Sequence, residues 1–284
     1  MILGILGKGG SGKSSVATQL VLSWQENNKN ILAIDADHNM DLIFNLTGNL
    51  KPQMPYLGTA MPEIENFVGL NQGEEYNQIF IRGTEQRFKF IKGETDSFTE
   101  KYSSVLNQNI RIMAAGPQTD QVLYGQKCGH VLATPLKVYL PLLEISSEDV
   151  VILDEKAGAD GVTTGIVTGI DMGVIVCEPS LHSIKAAQQI AELLNFYDTP
   201  YFLIGNKINE KADQEFIASQ LGFKPLAFFT NSNLIKRQPG EIEHEWSAQI
   251  RIIKTQAEKH YINNRLERTI KKFKRNHQFK STKT

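Results

Sequence analysis

Residues 1–20 read MILGILGKGGSGKSSVATQL, and this stretch decides the fold class. Ile2 to Leu6 is an apolar run typical of a buried strand, and Val16 to Trp24 carries apolar residues at helical spacing. Between them, Gly7 to Ser14 fits the pattern G-x-x-x-x-G-K-[ST]. Its glycines let backbone N–H groups turn inward around phosphate oxygens at a helix start, where the helix dipole also favours anions. The stretch therefore predicts a strand, a phosphate-binding loop and a helix.

The residues of this loop are candidate nucleotide ligands. In the motif, the Lys13 ammonium reaches the β and γ phosphates and the Ser14 hydroxyl binds Mg²⁺. Lys8 is not needed by this cradle, so a second lysine in the loop calls for its own explanation. The predicted nucleotide-binding set of the loop and first helical turn is Gly7, Lys8, Gly9, Gly10, Ser11, Gly12, Lys13, Ser14 and Ser15.

Length and composition set the wider limits. The 284 residues, 41% of them hydrophobic, are enough for a large α/β core, and we predict a single domain over 1–284. The net charge of -1 favours neither nucleic acid nor a membrane as the main partner, and two cysteines cannot form a disulfide framework. No apolar run reaches the roughly 20 residues of a membrane span, and the loop begins too near Met1 for a signal peptide. We therefore expect a soluble, cytoplasmic protein.

Apolar runs along the chain predict a mostly parallel sheet. They alternate with helical patterns, which indicates an α/β, three-layer P-loop NTPase fold with a doubly wound sheet and helices on both faces. Residues 51–108 are interpreted as an irregular insertion with β-like pieces at Gln78–Arg82 and Arg87–Ile91. Residues 245–284 are interpreted as a basic C-terminal helix and tail, helical from Glu245 to Arg275. The predicted strands are 2–6, 31–35, 110–114, 150–153, 173–177, 201–205 and 225–229.

Acidic residues follow two of these strands. Asp35, Asp37 and Asp41 follow the run that ends at Ile34, and Asp154 follows the run 150–153. Because an open α/β sheet binds its ligand at the carboxyl ends of its strands, we expect these carboxylates near the phosphate loop. For Asp35 a structural role and a catalytic role remain equally open. Four residues after Asp154, the N–H of Gly158 is expected to sense a γ-phosphate.

The early lysine makes the loop resemble the deviant Walker A group, KGGxGK[ST]. This group includes nitrogenase iron proteins, partition and division-site ATPases, arsenite-pump ATPases and nickel-insertion ATPases. The resemblance implies an ATP-hydrolysing homodimer in which Lys8 reaches the partner's nucleotide, as arginine fingers do in other phosphoryl-transfer enzymes. It implies that Lys8, Lys13 and Asp37 are catalytic, with Asp37 orienting the attacking water. The residues implied to surround Mg²⁺ are Ser14, Asp41 and Asp154.

The base end of the site is predicted from the run after Tyr201. This run ends in Asn206-Lys207, and guanine-specific switches have Asn-Lys-x-Asp at such a point. Here Asn209 stands in the last position, and an amide cannot take the role of the carboxylate. We therefore predict ATP as the nucleotide, with Asn206 as the adenine contact and Lys207 beside it.

Residues 125–130 bear on the cargo of such an ATPase. Iron proteins and nickel-insertion ATPases carry cysteines that face the dimer axis in this part of the chain. A nitrogenase-type [4Fe–4S] cluster needs another cysteine just after Asp154, and none is there; Cys177 lies in an apolar run as a core residue. Nickel-insertion ATPases have Cys-x-Cys, whereas this chain has Cys128-Gly129-His130. Two such pairs across a dimer axis would form a Cys₂His₂ set suited to Zn²⁺ or Ni²⁺, and a free cysteine beside a surface histidine is the alternative.

The resemblance is strongest to the carbon monoxide dehydrogenase nickel-insertion accessory ATPases of the CooC type. It implies metal insertion into a client metalloenzyme. The alternative is a positioning ATPase whose ATP-bound dimer binds DNA or a membrane through the basic tail. From Arg265 to Thr284 the chain has eight lysines and arginines but one acidic residue, with Leu266, Ile270 and Phe273 at helical spacing. A solvated helix end is the third interpretation of this tail.

Overall fold

One sheet organises the molecule. The computed structural model describes residues 1–49, 53–71, 73–91, 93–118, 124, 132–158, 165–232 and 239–281, with side chains as far as 275. In this part of the chain eight strands pair in one sheet. They are β1 (Ile2–Gly7), β2 (Asn30–Asp35), β3 (Ser103–Asn107), β4 (Ile110–Ala114), β5 (Asp149–Asp154), β6 (Met172–Cys177), β7 (Tyr201–Ile208) and β8 (Phe228–Thr230).

The spatial order of the strands is β3-β4-β2-β5-β1-β6-β7-β8. Every neighbouring pair is parallel except β3 and β4. The strand that precedes the phosphate loop, β1, therefore lies inside the sheet between β5 and β6. The helices are α1 (Lys13–Gln25), α2 (Asp41–Thr47), α3 (Met61–Phe67), α4 (Gln78–Arg82), α5 (Ser97–Tyr102), α6 (Leu136–Leu142), α7 (Leu181–Phe196), α8 (Lys211–Leu221), α9 (Ser247–Lys259) and α10 (Arg265–Ser281).

Helices cover both faces of the sheet. Along β1, Leu3 and Ile5 belong to one buried cluster and Ile2 and Leu6 to another, as the two-residue repeat of a strand requires. The first cluster includes residues of α1 and α9, and the second includes residues of α6, α7, α8 and α10. Because both faces are covered, all residues of β1, β5 and β6 are buried. The predicted α/β fold with a mostly parallel, doubly wound sheet is confirmed.

The seven predicted strands are present, with one shift and one addition. The strand predicted at 225–229 is β8, at Phe228–Thr230, although Leu226 already donates from its backbone N–H to the Leu203 carbonyl oxygen at 2.8 Å. The unpredicted strand β3 lies at the sheet edge, where its Val105 is 56% exposed. The buried strands were predicted from continuous apolar runs, and β3 lacks such a run because an edge strand is partly exposed to solvent.

Of the two β-like pieces predicted within 51–108, the first is wrong and the second is reduced to a single bridge. Gln78–Arg82 is the helix α4, in which the consecutive residues Ile79 and Phe80 are both buried, a pattern that a half-buried strand cannot produce. The Phe80 ring stacks on Phe273 of α10 with centroids 5.3 Å apart. Within Arg87–Ile91 the structure has one isolated bridge, between Phe88 and Leu143.

The single helix predicted from Glu245 to Arg275 is also wrong. After a 3₁₀ turn at His244–Trp246, the chain forms α9 and α10, which are separated at residues 260–264. Ile250 and Ile253 of α9 belong to the cluster on the α1 face, whereas Phe273 of α10 belongs to the opposite cluster. A continuous helix cannot pack on both faces of one sheet, so the chain breaks where it crosses from one to the other.

The basic tail is a docked part of the fold through residue 275. Arg265 and Arg268 are each 4% exposed, and Phe273 is 5% exposed. Leu266 and Ile270 pack against the same core. The apolar side predicted for lipid is therefore covered by the protein itself. Among the described helices, none combines the length and apolar character needed to cross a membrane.

Candidate nucleotide-binding site

A cavity of about 370 Å³ opens at the carboxyl ends of the strands. Its volume lies within the range of small-molecule sites. The predicted site residues that line it are Gly9, Gly10, Gly12, Lys13, Ser14, Ser15, Asp37, Asp41, Asn206 and Lys207. The lining residues that sequence reasoning missed are Asn39, Ala157, Asn231, Ser232 and Trp246.

The loop between β1 and α1 has the backbone of an anion cradle. Gly12, which precedes α1, has φ 94°, and a Cβ atom there would lie 2.1 Å from the Asn206 Nδ2 atom. Both the left-handed backbone and the close approach of Asn206 therefore require glycine at this position. No side chain caps the start of α1. Its first-turn N–H groups are thus left for an anionic ligand.

Lys13 presents a cation to this cradle. The side chain lines the cavity although the residue is 7% exposed. Its one hydrogen bond within the described part of the chain is long, from Nζ to the Lys8 carbonyl oxygen at 3.5 Å. Because a buried ammonium is stable only with good acceptors, this position favours an anionic ligand.

The other two predicted lysines meet at Glu178, which follows β6. Lys8 Nζ lies 3.5 Å from Glu178 Oε1, and Lys207 Nζ lies 2.9 Å from Glu178 Oε2. Lys207 Nζ also donates to the Gly10 carbonyl oxygen. Lys8 does not line the cavity of its own chain. Glu178 was not predicted as a site residue, although an acidic residue directly after a strand was the signal used for Asp37 and Asp154.

Asp154, which was predicted to lie near Mg²⁺, is a buried carboxylate beneath the cavity and is not among the residues that line it. It is 1% exposed, and burial raises its pKa to about 7, while the positive charge of Lys13 and a hydrogen bond from Ser14 oppose that rise. Asp154 Oδ1 has no hydrogen-bond partner within the described residues. A hydroxyl beside a carboxylate with an unused oxygen is a hard-oxygen set that fits Mg²⁺. Asp41 lines the cavity nearby and raises the same pKa by its charge.

Asp35 has the structural role that the sequence left open. The residue is fully buried, and its Oδ2 accepts the backbone N–H groups of Leu42 and Ile43 at 2.9 and 3.2 Å. These N–H groups belong to the first turn of α2, so Asp35 satisfies donors that the helix leaves unpaired. Its Oδ1 accepts the Asp37 N–H at 3.1 Å. Asp35 thereby fixes the segment that carries Asp37 to the cavity.

Glu155, next to Asp154, is a buried acidic residue that was not predicted. It is 1% exposed, and burial, followed by the negative charge of Asp154, raises its pKa to about 8. Its Oε2 has no hydrogen-bond partner in the described part of the chain. Such a group is protonated near neutral pH because a buried, unpaired carboxylate is unfavourable.

Asn206 and Trp246 both line the cavity, and Asn206 is in contact with the phosphate loop. Asn206 Nδ2 donates to the Ser11 carbonyl oxygen at 2.8 Å, and its buried Oδ1 has no partner among the described residues. Trp246 lines this cavity, and its Nε1 donates to the Thr230 carbonyl oxygen at 3.2 Å. The free Oδ1 acceptor is compatible with the amino group of adenine. No sequence pattern relates Trp246 to the loop, because only folding brings these segments together.

Several predicted residues do not line the cavity. Gly7 and Ser11 belong to the phosphate loop but are not among the residues that line the cavity. The Gly158 N–H, which was predicted to sense a phosphate, donates to the Gly7 carbonyl oxygen at 2.9 Å. Cys128 and His130 lie outside the described residues. Within the described part of the chain, there is no group of three or more His, Cys, Asp or Glu side chains that could hold a metal. Cys177 is fully buried, as predicted, and burial raises the pKa of its thiol to about 11.

Known proteins resemble this chain in sequence and in fold. It is 26% identical over 258 residues to an uncharacterized ATP-binding protein of Methanocaldococcus jannaschii, covering 89% of this chain and 97% of that protein. It is 25% identical over 218 residues to the carbon monoxide dehydrogenase accessory protein CooC of Rhodospirillum rubrum, covering 76% and 78%. The fold is similar to that of the septum site-determining protein MinD, solved in complex with Mg-ADP, from Pyrococcus horikoshii. That similarity has a TM-score of 0.55 at 16% identity and covers 100% of this chain and 98% of MinD.

The family assignment covers nearly the whole chain. Residues 2–278 match the family described as the CobQ/CobB/MinD/ParA nucleotide binding domain. This match agrees with the two-lysine phosphate loop and with the cavity built on it. The chain belongs to the CobQ/CobB/MinD/ParA nucleotide-binding domain family.

Proposed function

We propose that this protein is a Mg²⁺-dependent ATPase that acts as a homodimeric, nucleotide-driven switch in metalloenzyme maturation, with nickel as the delivered metal. The observation that carries the hydrolytic part is the cavity, where Lys13, Ser14 and Asp37 lie together. Asp154 lies within hydrogen-bond reach of Ser14. A phosphate cradle, a metal-compatible oxygen set and a carboxylate for water are the components that phosphoryl transfer to water requires.

In this proposal water attacks the γ-phosphate in line with the leaving oxygen. Lys13 and the uncapped N–H groups at the start of α1 stabilise the charge of the transferring group. Asp37 orients the water, and its Oδ1 is held in place by the Asn39 N–H at 3.2 Å. Bound Mg²⁺ supplies a Lewis acid that neutralises phosphate charge, and Ser14 and Asp154 are the residues that would hold it, with Asp41 beside them.

The second lysine supports a dimer. Lys8 follows the strand that ends in the cradle, yet it does not line the cavity of its own chain. Its side chain is 38% exposed and is bound at the edge of the site by Glu178. An exposed cation beside a phosphate site can contribute to the site of a second chain, as arginine fingers do. We therefore assign Lys8 to the nucleotide of the partner protomer.

The proposed cargo rests on Cys128 and His130 and on the relationship to the CooC accessory protein. One thiolate and one imidazole per chain leave a metal undercoordinated, whereas a twofold dimer would offer two of each. Ni²⁺ accepts both ligand types, and so does Zn²⁺. Closure of the dimer around nucleotide would then form the metal site, and reopening after hydrolysis would release the metal to a client enzyme.

A surface-binding ATPase is the alternative, since the fold resembles that of MinD. Its support in the sequence was the amphipathic basic tail. In the structure, Leu266, Ile270 and Phe273 pack against the core, which leaves no apolar side of this helix for lipid up to residue 275. Among the described side chains of α10, Lys271, Lys274 and Arg275 are exposed cations, and Lys271 is paired with Asp198, so Lys274 and Arg275 are the cations there that still support this alternative.

The test is a metal count on dimers separated by size-exclusion chromatography. Wild-type protein and Cys128→Ser/His130→Ala would be loaded with Ni²⁺ or Zn²⁺ in the presence of ADP or a non-hydrolysable ATP analogue. The matched control is Cys177→Ala/His260→Ala, which removes a buried cysteine and an exposed histidine elsewhere. We expect about one metal per dimer with the ATP analogue, lost only in the Cys128/His130 variant.

Other outcomes would reject parts of the proposal. A nucleotide-dependent dimer without metal would reject metal delivery, and binding of that dimer to anionic vesicles or DNA would then favour the surface-binding alternative. Phosphate release that does not exceed that of a Lys13→Ala control would reject the ATPase itself.

A further inference from the structure

Glu178 joins the two lysines at the mouth of the nucleotide site. Its Oε1 is 3.5 Å from Lys8 Nζ, and its Oε2 is 2.9 Å from Lys207 Nζ, so each oxygen has its own cation. The Glu178 side chain is 17% exposed, and both lysine side chains are 38% exposed. A partly buried carboxylate between two cations is held more firmly than an isolated surface pair, because solvent screens it less.

Hydrogen bonds to the start of α7 fix the position of Glu178. Its backbone N–H donates to Ser183 Oγ at 3.1 Å, and its carbonyl oxygen accepts the Ser180 N–H at 2.7 Å. The Ser180 hydroxyl also lies 3.5 Å from Glu178 Oε1. Ser180 is the N-cap of α7 and Ser183 lies in its first turn. The carboxylate is therefore fixed to the start of a helix that packs on the sheet.

The two lysines differ in how they are held. Lys207 has a second strong acceptor, the Gly10 carbonyl oxygen. Lys8 has only the carbonyl oxygen of the adjacent Gly9, at 3.4 Å, besides Glu178 within the described residues. Lys8 is therefore the lysine that can dissociate from Glu178. When it leaves, the Glu178 charge still has Lys207 as a partner, so no unpaired carboxylate results.

We propose that Glu178 is a positioning residue that retains Lys8 on its own protomer until the nucleotide of a second protomer competes for the ammonium. This inference rests on the proposed role of Lys8 in the partner's site. Glu178 then acts through Lys8, and its removal favours the nucleotide-bound dimer. In a twofold dimer the effect counts twice, since each protomer gives up one Lys8–Glu178 contact.

The test compares dimerisation of wild type with that of Glu178→Gln, which removes the charge and keeps the shape. Sedimentation velocity over a range of protein concentrations, with Mg²⁺ and a non-hydrolysable ATP analogue, gives the midpoint of dimerisation. We expect the midpoint of Glu178→Gln about 5- to 30-fold below that of wild type, which corresponds to two modest ion pairs. The matched control is Glu192→Gln, an exposed glutamate on α7, the helix that follows Glu178, with no expected shift.

Kinetics separate this role from a structural one. The ratio of the specific activity of Glu178→Gln to that of wild type should depend on protein concentration and should fall as the dimer saturates. Near the wild-type midpoint, the specific activity of Glu178→Gln should be higher than that of wild type. Glu178→Asp keeps the charge and is expected to shift the midpoint less than Glu178→Gln does.

Two results would overturn the inference and leave the proposed function in place. The first is an unchanged or raised midpoint in Glu178→Gln when wild type dimerises with the analogue. The second is a shift in Glu178→Asp at least as large as that in Glu178→Gln, because a variant that keeps the negative charge would then release Lys8 as fully as one that removes it. A wild type that stays monomeric with the analogue would overturn the proposed dimeric switch, and this inference with it.

Discussion

Two regions rich in cations have opposite environments in this protein. In the phosphate loop, Lys13 faces a cavity with one long hydrogen bond, and Lys8 is held at the edge by Glu178. In α10, Arg265 donates to the Leu140 and Leu143 carbonyl oxygens and lies 3.3 Å from the buried Asp171. The same charge is thus available for a ligand in one region and used by the fold in the other.

This difference shows why charge density alone does not predict a binding surface. The tail has more cations than the loop, but its two arginines at the start of α10 are each 4% exposed and bind backbone carbonyl groups. The two loop lysines each have one backbone carbonyl acceptor, and it is distant: the Gly9 carbonyl oxygen lies 3.4 Å from Lys8 Nζ, and the Lys8 carbonyl oxygen lies 3.5 Å from Lys13 Nζ.

Replacing Lys8 with alanine should have the largest effect, on catalysis. A cation supplied to the partner's phosphates is worth about 10³-fold or more in kcat, by analogy with arginine fingers. ATP binding to a single protomer should remain, because Lys8 does not line its own cavity. Steady-state phosphate release and nucleotide titration measure the two quantities. Lys211→Ala, at a side chain that is 86% exposed, is the control, and equal losses of binding and turnover in Lys8→Ala would contradict the assignment.

Replacing Arg265 with alanine should affect stability instead. The change leaves Asp171, whose side chain is 1% exposed, without its cationic partner. Loss of one partner of a buried pair costs about 3–5 kcal/mol in the free energy of unfolding. Urea denaturation of Arg265→Ala and of the exposed control Arg251→Ala measures the cost. A difference below about 1 kcal/mol between them would mean that α10 is not part of the cooperative fold.

Glu155 should make the nucleotide-free protein less stable as pH rises. Its folded pKa is raised to about 8, so between pH 5 and 8 the folded state holds a proton that the unfolded chain has released. Unfolding then releases a proton, and stability falls with increasing pH across this range. Glu155→Gln removes the titration and should add about 1–3 kcal/mol at pH 8 and little at pH 5. Urea denaturation at the two pH values measures this, with Glu192→Gln as the exposed control; an equal gain at both would contradict the buried-carboxylate explanation.

The smallest effect is expected at the exposed end of α10. Lys274 and Arg275 are solvent-exposed, so Lys274→Ala/Arg275→Ala should change stability by less than about 0.5 kcal/mol per residue and leave ATP hydrolysis unchanged. Co-sedimentation with anionic vesicles, at low and high salt, tests the remaining role of these cations. Salt-sensitive vesicle binding by the wild type that the double variant loses would show that α10 has a ligand as well as a structural role.

The nucleotide site was predictable to the extent that its residues are local in the sequence. The loop and the acidic residues at or just after the ends of β2 and β5 follow directly on apolar runs, and parallel strands bring their carboxyl ends to one edge. Asp35 illustrates the limit of this reasoning. Its position after a strand is the same as that of Asp154, and only the N–H groups of Leu42 and Ile43 show that it caps a helix.

Residues that reach the site from distant segments were missed. Trp246 lies in a 3₁₀ turn that precedes α9, and packing on the α1 face brings it to the cavity. Glu178 became visible as a site residue only through its distances to Lys8 and Lys207. No residue spacing in the sequence predicts that Trp246 reaches the cavity or that Glu178 reaches the two lysines. Whole strands and helices separate these segments along the chain.

The sequence by itself determined the parallel sheet, the phosphate loop and the family, because continuous apolar runs and a glycine-rich turn specify these features locally. The tertiary structure alone decided which cations and carboxylates are free for a ligand. Arg265 and Asp35 are used by the fold, whereas Lys13 and Asp37 face the cavity. The physical reason is that a charged group binds whichever partner packing places beside it, and those partners lie far away along the chain.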